Sequence, residues 1–299
     1  MAYSLRMKIL IFGVTGMVGQ GVLRESLLAP DISEVVAVVR SPIDGESSSK
    51  LTQIVHSDFY DYSSIASQLS GFDACFFCLG TASAGKQEPE YTRITYDLTM
   101  AAAETLVTRN PSMTFVYVSG RGADSSEKGS VMWARVRGRL ENALLAMPFK
   151  RVFILRPAII QPLNGARSKT PSISAMYTVT APLLSFWRSL SPGGINTTES
   201  IGRTMLRLAR VGYSKKILES ADIAEAGSIY LFQQPAVLLR HAGDVGGRAC
   251  AKLFHEVGAL AVECLVADAE VVGDDLWRFV GDDAAHDVSL AVGEFHAKG

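Results

Sequence analysis

Six short apolar runs punctuate the first half of the chain: MKILIFG (7–13), EVVAVVR (34–40), LTQIVHSD (51–58), DACFFCLG (73–80), MTFVYVSG (113–120) and RVFILRP (151–157). Most are apolar nearly throughout instead of alternating, the pattern of a strand buried on both faces. Between them lie stretches of helical period: one from the glycine turn to about Leu28, a short one over 63–69, a long one from about Glu90 to Arg109, and one over about 130–147. Strands that alternate with helices predict βαβ units and a parallel sheet. Right-handed crossovers then put every strand's C-terminal end on one edge, where ligands bind. The fold class expected is α/β, a doubly wound parallel-sheet Rossmann fold.

After Pro157 the pattern loosens. MYTVTAPLLSFW (176–187) is apolar and reads as a lid helix over the ligand edge. NTTESIGRTMLRLAR (196–210) predicts a helix with Thr197 or Thr198 as N-cap and Glu199 in its first turn. KKILES (215–220) reads as a last short strand. The expected organisation is a nucleotide-binding domain over 1–227, with a small substrate or lid region in about 158–212, followed by an unrecognised tail over 228–299.

Composition draws that boundary. The tail holds five Lys or Arg against eleven Asp or Glu, four of the five histidines (His241, His255, His286, His296) and no threonine. Its histidines and acids are irregularly spaced and form no tight ligand motif, so no metal site is expected. Ala, Val, Gly, Asp and Glu, all read from codons that begin with G, dominate it. It is either an extension not selected for this fold or a dimerisation or regulatory segment.

The chain as a whole, 299 residues with a net charge of −1, offers no basic field for nucleic acid. No stretch has the roughly 18 consecutive apolar residues of a membrane span. The start, MAYSLRMKILIFG, lacks the layout of a signal peptide, and four cysteines are too few for a disulfide scaffold, which together point to the cytoplasm. Cys75 and Cys78 form a C-x-x-C, but on a strand positions i and i+3 point to opposite faces, which argues against a metal or redox pair.

Candidate chemistry starts at the first turn. Gly13-Val-Thr-Gly16-Met-Val-Gly19 lies where a strand runs into a helix. Glycines there permit a tight turn, close approach of a pyrophosphate and close helix–strand packing, while the N–H groups and dipole of the helix start face the phosphates. Gly13, Thr15, Gly16, Met17, Val18 and Gly19 are the residues expected to hold a dinucleotide.

The G-x-x-G-x-x-G spacing resembles that of the short-chain dehydrogenase/reductase superfamily, particularly its extended and atypical members. VYVSG, ILRPAIIQP, CLGT (78–81), RGAD (121–124) and VRGRLENAL resemble the atypical group that includes TIP30-like proteins and bacterial NAD-dependent epimerase/dehydratase-like proteins, over roughly residues 7–225. The resemblance implies a catalytic serine at Ser119 and a turn at Pro157 close to the nicotinamide. It also places Asp58 beside the adenine and Leu79 and Gly80 along the ribose.

In NAD binders an acidic residue at the end of strand two meets the ribose hydroxyl. Arg40 stands there instead, suited to a 2′-phosphate, so NADP(H) is favoured over NAD(H). The resemblance aligns Trp133 with the superfamily's catalytic tyrosine and Arg137 with its lysine. Arginine can still bond ribose hydroxyls. An indole N–H donates but has no acid chemistry near neutral pH, and a serine alone is a poor general acid. Tyr91, Tyr96 and Tyr177 are further hydroxyls that could reach the site from loops or the lid, without an assigned place. Alternatively, Trp133 is core packing and Arg137 a surface charge. Two functions stay open: an NAD(P)-dependent oxidoreductase or epimerase-like enzyme with a non-standard acid, or a cofactor-binding regulatory or redox-sensing protein without turnover. The substrate is a small molecule of unknown identity, and an oligomer is possible.

Overall fold

The computed structural model describes residues 6–43, 48–166 and 194–232. Seven strands form one sheet: β1 (Met7–Phe12), β2 (Ile32–Val39), β3 (Leu51–Val55), β4 (Ala74–Phe77), β5 (Thr114–Val118), β6 (Arg151–Arg156) and β9 (Ile217–Glu219). Their order is β3-β2-β1-β4-β5-β6-β9, and every neighbouring pair is parallel. The chain runs outward from β1 to β3, then returns to lay β4 on the other side of β1. That reversal leaves a crevice at the C-terminal ends of β1 and β4, the place where such sheets bind ligands.

Six helices accompany the sheet among the described residues: α1 (Met17–Leu28), α2 (Glu88–Thr92), α3 (Leu98–Arg109), α4 (Met132–Ala146), α5 (Thr198–Arg210) and α6 (Ser220–Phe232). Alternating strand residues feed two core layers. Ile9, Ile11, Val35 and Phe76 face Val22 and Leu23 of α1, Met205 of α5 and Ile223 of α6. Leu10, Phe12, Val36 and Phe77 face Ala103 of α3 and Leu140 and Leu144 of α4. This is the doubly wound Rossmann arrangement read from the sequence. Cys75 lies in the second layer while Cys78 packs against the first, so the C-x-x-C pair is divided by the sheet. Burial pushes both thiols up from their ordinary range.

Helices α1 and α5 cross at close quarters. A Cβ on Gly21 would lie 2.6 Å from the Thr198 side chain, and one on Gly202 2.9 Å from that of Glu25. Buried Glu25 accepts from Arg203 at 2.9 Å and from Arg24 at 2.6 Å, which holds the carboxylate paired where solvent cannot reach it. Thr197 caps α5: its side chain accepts from the Ser200 N–H and the Ser200 hydroxyl accepts from the Thr197 N–H, a capping box with serine as the reciprocal partner.

Several elements differ from the sequence reading. The long helix expected from Glu90 to Arg109 is α2 and α3 joined by a π-helical turn, Arg93–Asp97. The segment at 63–69 is a 3₁₀ helix. β3 stops at Val55, which leaves Asp58 on the following loop. β7 (Ile159–Gln161) and β8 (Ile195–Thr197) form an unforeseen two-stranded parallel ribbon. Helix α6 runs through the composition boundary at Gly227. The apolar stretch 176–187 and the chain beyond 232 lie outside the described residues. Among those described, no helix is long and apolar enough to cross a membrane.

Candidate functional site

The loop after β1 is built around its glycines. Gly13 has φ +82°, a conformation costly for any side chain, and a Cβ there would lie 2.8 Å from the backbone of Cys78 and Leu79 at the end of β4. A Cβ on Gly19 would lie 2.0 Å from the Gly13 carbonyl oxygen, so the first turn of α1 sits directly on the loop. Gly16 is the N-cap of α1, with no side-chain cap and no acidic residue in the first turn. The positive end of the helix dipole therefore opens on the crevice between β1 and β4, flanked by Thr15, Met17 and Val18. That arrangement suits a pyrophosphate.

Arg40, Ser57, Asp58, Phe59, Tyr60, Ile94 and Leu98 line a cleft of about 380 Å³. It brings together two residues predicted separately, Arg40 at the end of β2 and Asp58 after β3. Both are exposed. The Asp58 carboxylate accepts from the Tyr60 N–H at 2.9 Å, and the Arg93 guanidinium stands 5.2 Å over the Tyr60 ring. Apolar and aromatic walls with an exposed guanidinium in the lining suit an adenosine.

The inward side of α4 carries Trp133, Arg137 and Glu141 at four-residue spacing. Trp133 lies on the turn after β5, its ring 3.4 Å from where a Cβ on Gly122 would be. Arg137 is half-buried, not a surface charge. Its guanidinium lies between two strand ends: Nη2 is 3.9 Å from the Cβ position of Gly80 after β4, and Nη1 3.9 Å from that of Gly120 after β5. Nε donates to the Tyr91 hydroxyl at 3.0 Å. Nη1 is buried and has no hydrogen-bond partner among the described residues. An unspent buried N–H beside two glycine-lined strand ends fits a polar ligand group such as a ribose hydroxyl. Burial works against the charge of Arg137, but Tyr117, the hydrogen-bonded Tyr91 and Glu141 outweigh it and hold its pKa above the ordinary value. Burial pushes the neighbouring Tyr117 hydroxyl up to about 12, against the pull of Arg137.

Ser119 is where the sequence placed it, at the end of β5, with its N–H bonded to Leu155 at 2.8 Å. Its hydroxyl donates to Glu141, a carboxylate with no exposed surface. Glu141 is also paired with Arg156 of β6, whose guanidinium reaches the Ser125 hydroxyl at 2.7 Å and Glu219 at 3.3 Å. Sequence reasoning missed Glu141 and its pairing with Arg156, the arginine of the turn placed near the nicotinamide. The available signal was the spacing, since a residue eight beyond Trp133 shares its face. Gly138 is explained too: a Cβ would lie 1.7 Å from the Asp124 carbonyl oxygen, so the RGAD loop rests on α4 at that point. Buried Pro157 follows β6 and accepts from the Arg121 N–H at 3.0 Å.

Residues 13–146 match a family model described as NAD(P)H-binding. The chain is 30% identical over 176 residues to the mitochondrial protein FMP52 of Saccharomyces cerevisiae, covering 58% of this chain and 73% of that one. It is also 30% identical over 200 residues to the mitochondrial fmp52 of Emericella nidulans, covering 64% and 83%. Among solved structures, the fold resembles the Bordetella bronchiseptica enzyme WbmF in complex with NAD+ at a TM-score of 0.53 and 15% identity, over 77% of this chain and 79% of that one. An oxidoreductase of the short-chain dehydrogenase/reductase family from Burkholderia thailandensis gives 0.53 and 16%, over 78% and 98%. These likenesses bear out the NAD(P)-binding Rossmann fold that the superfamily resemblance implied. They correct the cytoplasmic expectation, because the relatives are named as mitochondrial proteins. Cysteine content and the order of residues at the start had pointed elsewhere, and neither distinguishes one reducing compartment from another.

Proposed function

The chain belongs to the FMP52 family and carries an NAD(P)-binding Rossmann domain; from that premise we propose that it is an NADP(H)-preferring oxidoreductase or epimerase-like protein of atypical short-chain dehydrogenase/reductase type, acting on a small carbonyl or sugar-like substrate. The observation that carries this reading is Arg40 in the lining of the cleft it shares with Asp58, where an acid would repel a 2′-phosphate and a guanidinium pairs with it. In this reading Gly13, Thr15, Gly16, Met17, Val18 and Gly19 cradle the pyrophosphate. Asp58 borders the adenine, Leu79 and Gly80 the ribose, and Pro157 the nicotinamide. Arg137 offers Nη1 and Nη2 to the nicotinamide ribose while Trp133 walls the pocket. The cofactor supplies or accepts a hydride. The mitochondrial names of the relatives support residence in that compartment.

A second reading, cofactor binding without turnover, is favoured by one observation: Ser119 spends its hydroxyl hydrogen on Glu141, which removes the donor expected to face a substrate oxygen. Oxidation of NADPH against a panel of aldehydes, ketones and quinones separates the two readings. Calorimetry tests the cofactor preference. The protein should bind NADPH roughly ten- to a hundredfold more tightly than NADH, the worth of one charge-assisted bond of about 1.5–3 kcal/mol. Arg40→Asp should erase or invert that preference. Equal affinities in the unmodified protein overturn the assignment.

A further inference from the structure

The turn after β5 is braced from three sides. Gly120, Arg121, Gly122 and Ala123 form a type II β-turn: the Ala123 N–H donates to the Gly120 carbonyl oxygen at 3.3 Å, and Gly122, the third residue, has φ +90°. Arg121 is the second residue, at the tip. Its own N–H donates to the Pro157 carbonyl oxygen after β6 at 3.0 Å. The Trp133 ring of α4 packs against Gly122, and Gly120 lies beside the Arg137 guanidinium. The backbone that carries Arg121 is therefore fixed between β5, β6 and α4, on the edge where the sheet binds ligands.

The side chain on this fixed backbone is unspent. Arg121 is exposed, and its guanidinium has no ion pair or hydrogen bond among the described residues. Its neighbours are committed: Arg135 to Glu88 at 2.7 Å, Arg139 over the Tyr96 ring at 4.5 Å, and Arg156 to Glu141. The acid closest to it in the chain, Asp124, is taken by the Ser126 hydroxyl and the Gly129 N–H, which hold that carboxyl below its ordinary range. Two apolar groups flank the same turn. Trp133 meets it at Gly122, and Ile159, two residues beyond Pro157, is 46% exposed.

We propose that Arg121 is the anion site of the substrate pocket, and that the substrate is a carbonyl compound bearing a carboxylate on an apolar body. This rests on the reading of the protein as an oxidoreductase with its nicotinamide at Pro157, and supplies the substrate class that reading leaves open. Arg121 is bonded to Pro157, so its guanidinium stands where a substrate meets the nicotinamide. A guanidinium takes a carboxylate bidentately through parallel N–H donors. One cation balances one carboxylate; a dianionic phosphate would call for a second cation or a nest of backbone N–H groups. Trp133 and Ile159 give the carbon frame its walls, while the single charge sets its orientation.

The test uses the full chain and two probes that differ by one charge, 4-formylbenzoate and its methyl ester. Reduction is followed at saturating NADPH. The corresponding alcohols, 4-(hydroxymethyl)benzoate and its methyl ester, are titrated by calorimetry into the protein saturated with NADP+. Arg121→Gln should lower kcat/KM for the acid, and the affinity for its alcohol, about ten- to a hundredfold relative to the ester, the worth of one charge-assisted bond. Comparing the acid-to-ester ratio between wild type and variant cancels the intrinsic reactivity of the two probes. Arg121→Lys, which keeps the charge and loses the fork, should fall between the two. The NADPH dissociation constant, measured without substrate, should move by less than about threefold. An acid-to-ester ratio equal in wild type and Arg121→Gln overturns the proposal. So does a loss of NADPH affinity as large as the loss for the acid, which would assign Arg121 to the cofactor's pyrophosphate. If wild type reduces neither probe, the titrations decide: selective binding of the acid that Arg121→Gln abolishes upholds the anion site while the oxidoreductase reading falls, and absence of such binding overturns the anion site as well.

Discussion

Ser119 donates its hydroxyl hydrogen to Glu141, a fully buried carboxylate that Arg156 neutralises from the adjoining strand. This contact ties the end of β5, the middle of α4 and the end of β6 into one unit, just behind the strand ends that border the site. A buried carboxylate without its cation is costly, and so is a buried guanidinium without its anion.

Glu141→Gln should therefore destabilise the protein by about 3–5 kcal/mol, the usual penalty for breaking a buried pair from one side. Thermal unfolding should fall on the order of 10 °C. Glu141→Leu/Arg156→Met, which removes both charges and keeps the volume apolar, should recover much of the loss. A shift under about 2 °C in the single variant would show that the pair contributes nothing to stability.

The loop–helix contacts predict graded effects of single methyl groups. Gly19→Ala forces a carbon to within 2.0 Å of the Gly13 carbonyl oxygen, whereas Gly16→Ala meets that oxygen at 3.3 Å. The first requires α1 to lift off the loop, at a cost of about 1–3 kcal/mol or more, and should weaken NADPH binding at least about tenfold. The second needs only a small adjustment and should be the milder in thermal unfolding. Equal effects from the two would mean that the helix start adapts and the close packing does not constrain it.

Much of this was legible in the chain because parallel strands buried on both faces read as continuous apolar runs. The six runs gave six strands, and the glycine loop fell between the first of them and α1. The features that escaped are polar and non-local. Glu141 sits in RLENALLA, where a single glutamate reads as surface, and only its Arg156 partner on β6 makes it a core residue. Tyr91 was one of three tyrosines the chain offered for the site, but its pairing with Arg137 was not legible, because the π-helical turn that follows α2 leaves no signature in helical period. β7 and β8 are three residues each, too short to show a period of two. The cleft residues Arg40 and Asp58 were found because each follows a readable strand. Their shared cleft follows from the adjacency of β2 and β3 in the sheet.

The tail boundary predicts where the chain can be cut. Helix α6 continues to Phe232, and Gly227 is packed so closely that a Cβ would lie 2.8 Å from the Ser200 carbonyl oxygen. A cut at the composition boundary would sever a packed helix. We expect residues 1–232 to remain soluble, to bind NADPH and to melt within about 5 °C of the full chain, a difference of roughly 1–2 kcal/mol. A cut after Gly227 should melt lower. Aggregation of the 1–232 fragment, or a larger fall, would assign the tail a structural role.

On the inward side of α4, Trp133 and Arg137 should separate shape from binding. Trp133 rests on the Gly122 turn with its ring, and Trp133→Phe keeps an aromatic plate there while removing the indole N–H. One neutral hydrogen bond is worth about 0.5–1.5 kcal/mol, so turnover of a probe carbonyl should change by less than about tenfold. Arg137→Met removes Nη1, which has no partner among the described residues, with the rest of the guanidinium and should raise the NADPH dissociation constant. Both variants are measured side by side, turnover at saturating cofactor and affinity by calorimetry. A hundredfold loss of turnover in Trp133→Phe at unchanged affinity would assign the indole N–H to a developing oxyanion and contradict a purely shaping role. Unchanged NADPH affinity in Arg137→Met would leave the cofactor's ribose without its proposed partner. In that case the buried N–H group between Gly80 and Gly120 must serve the substrate instead.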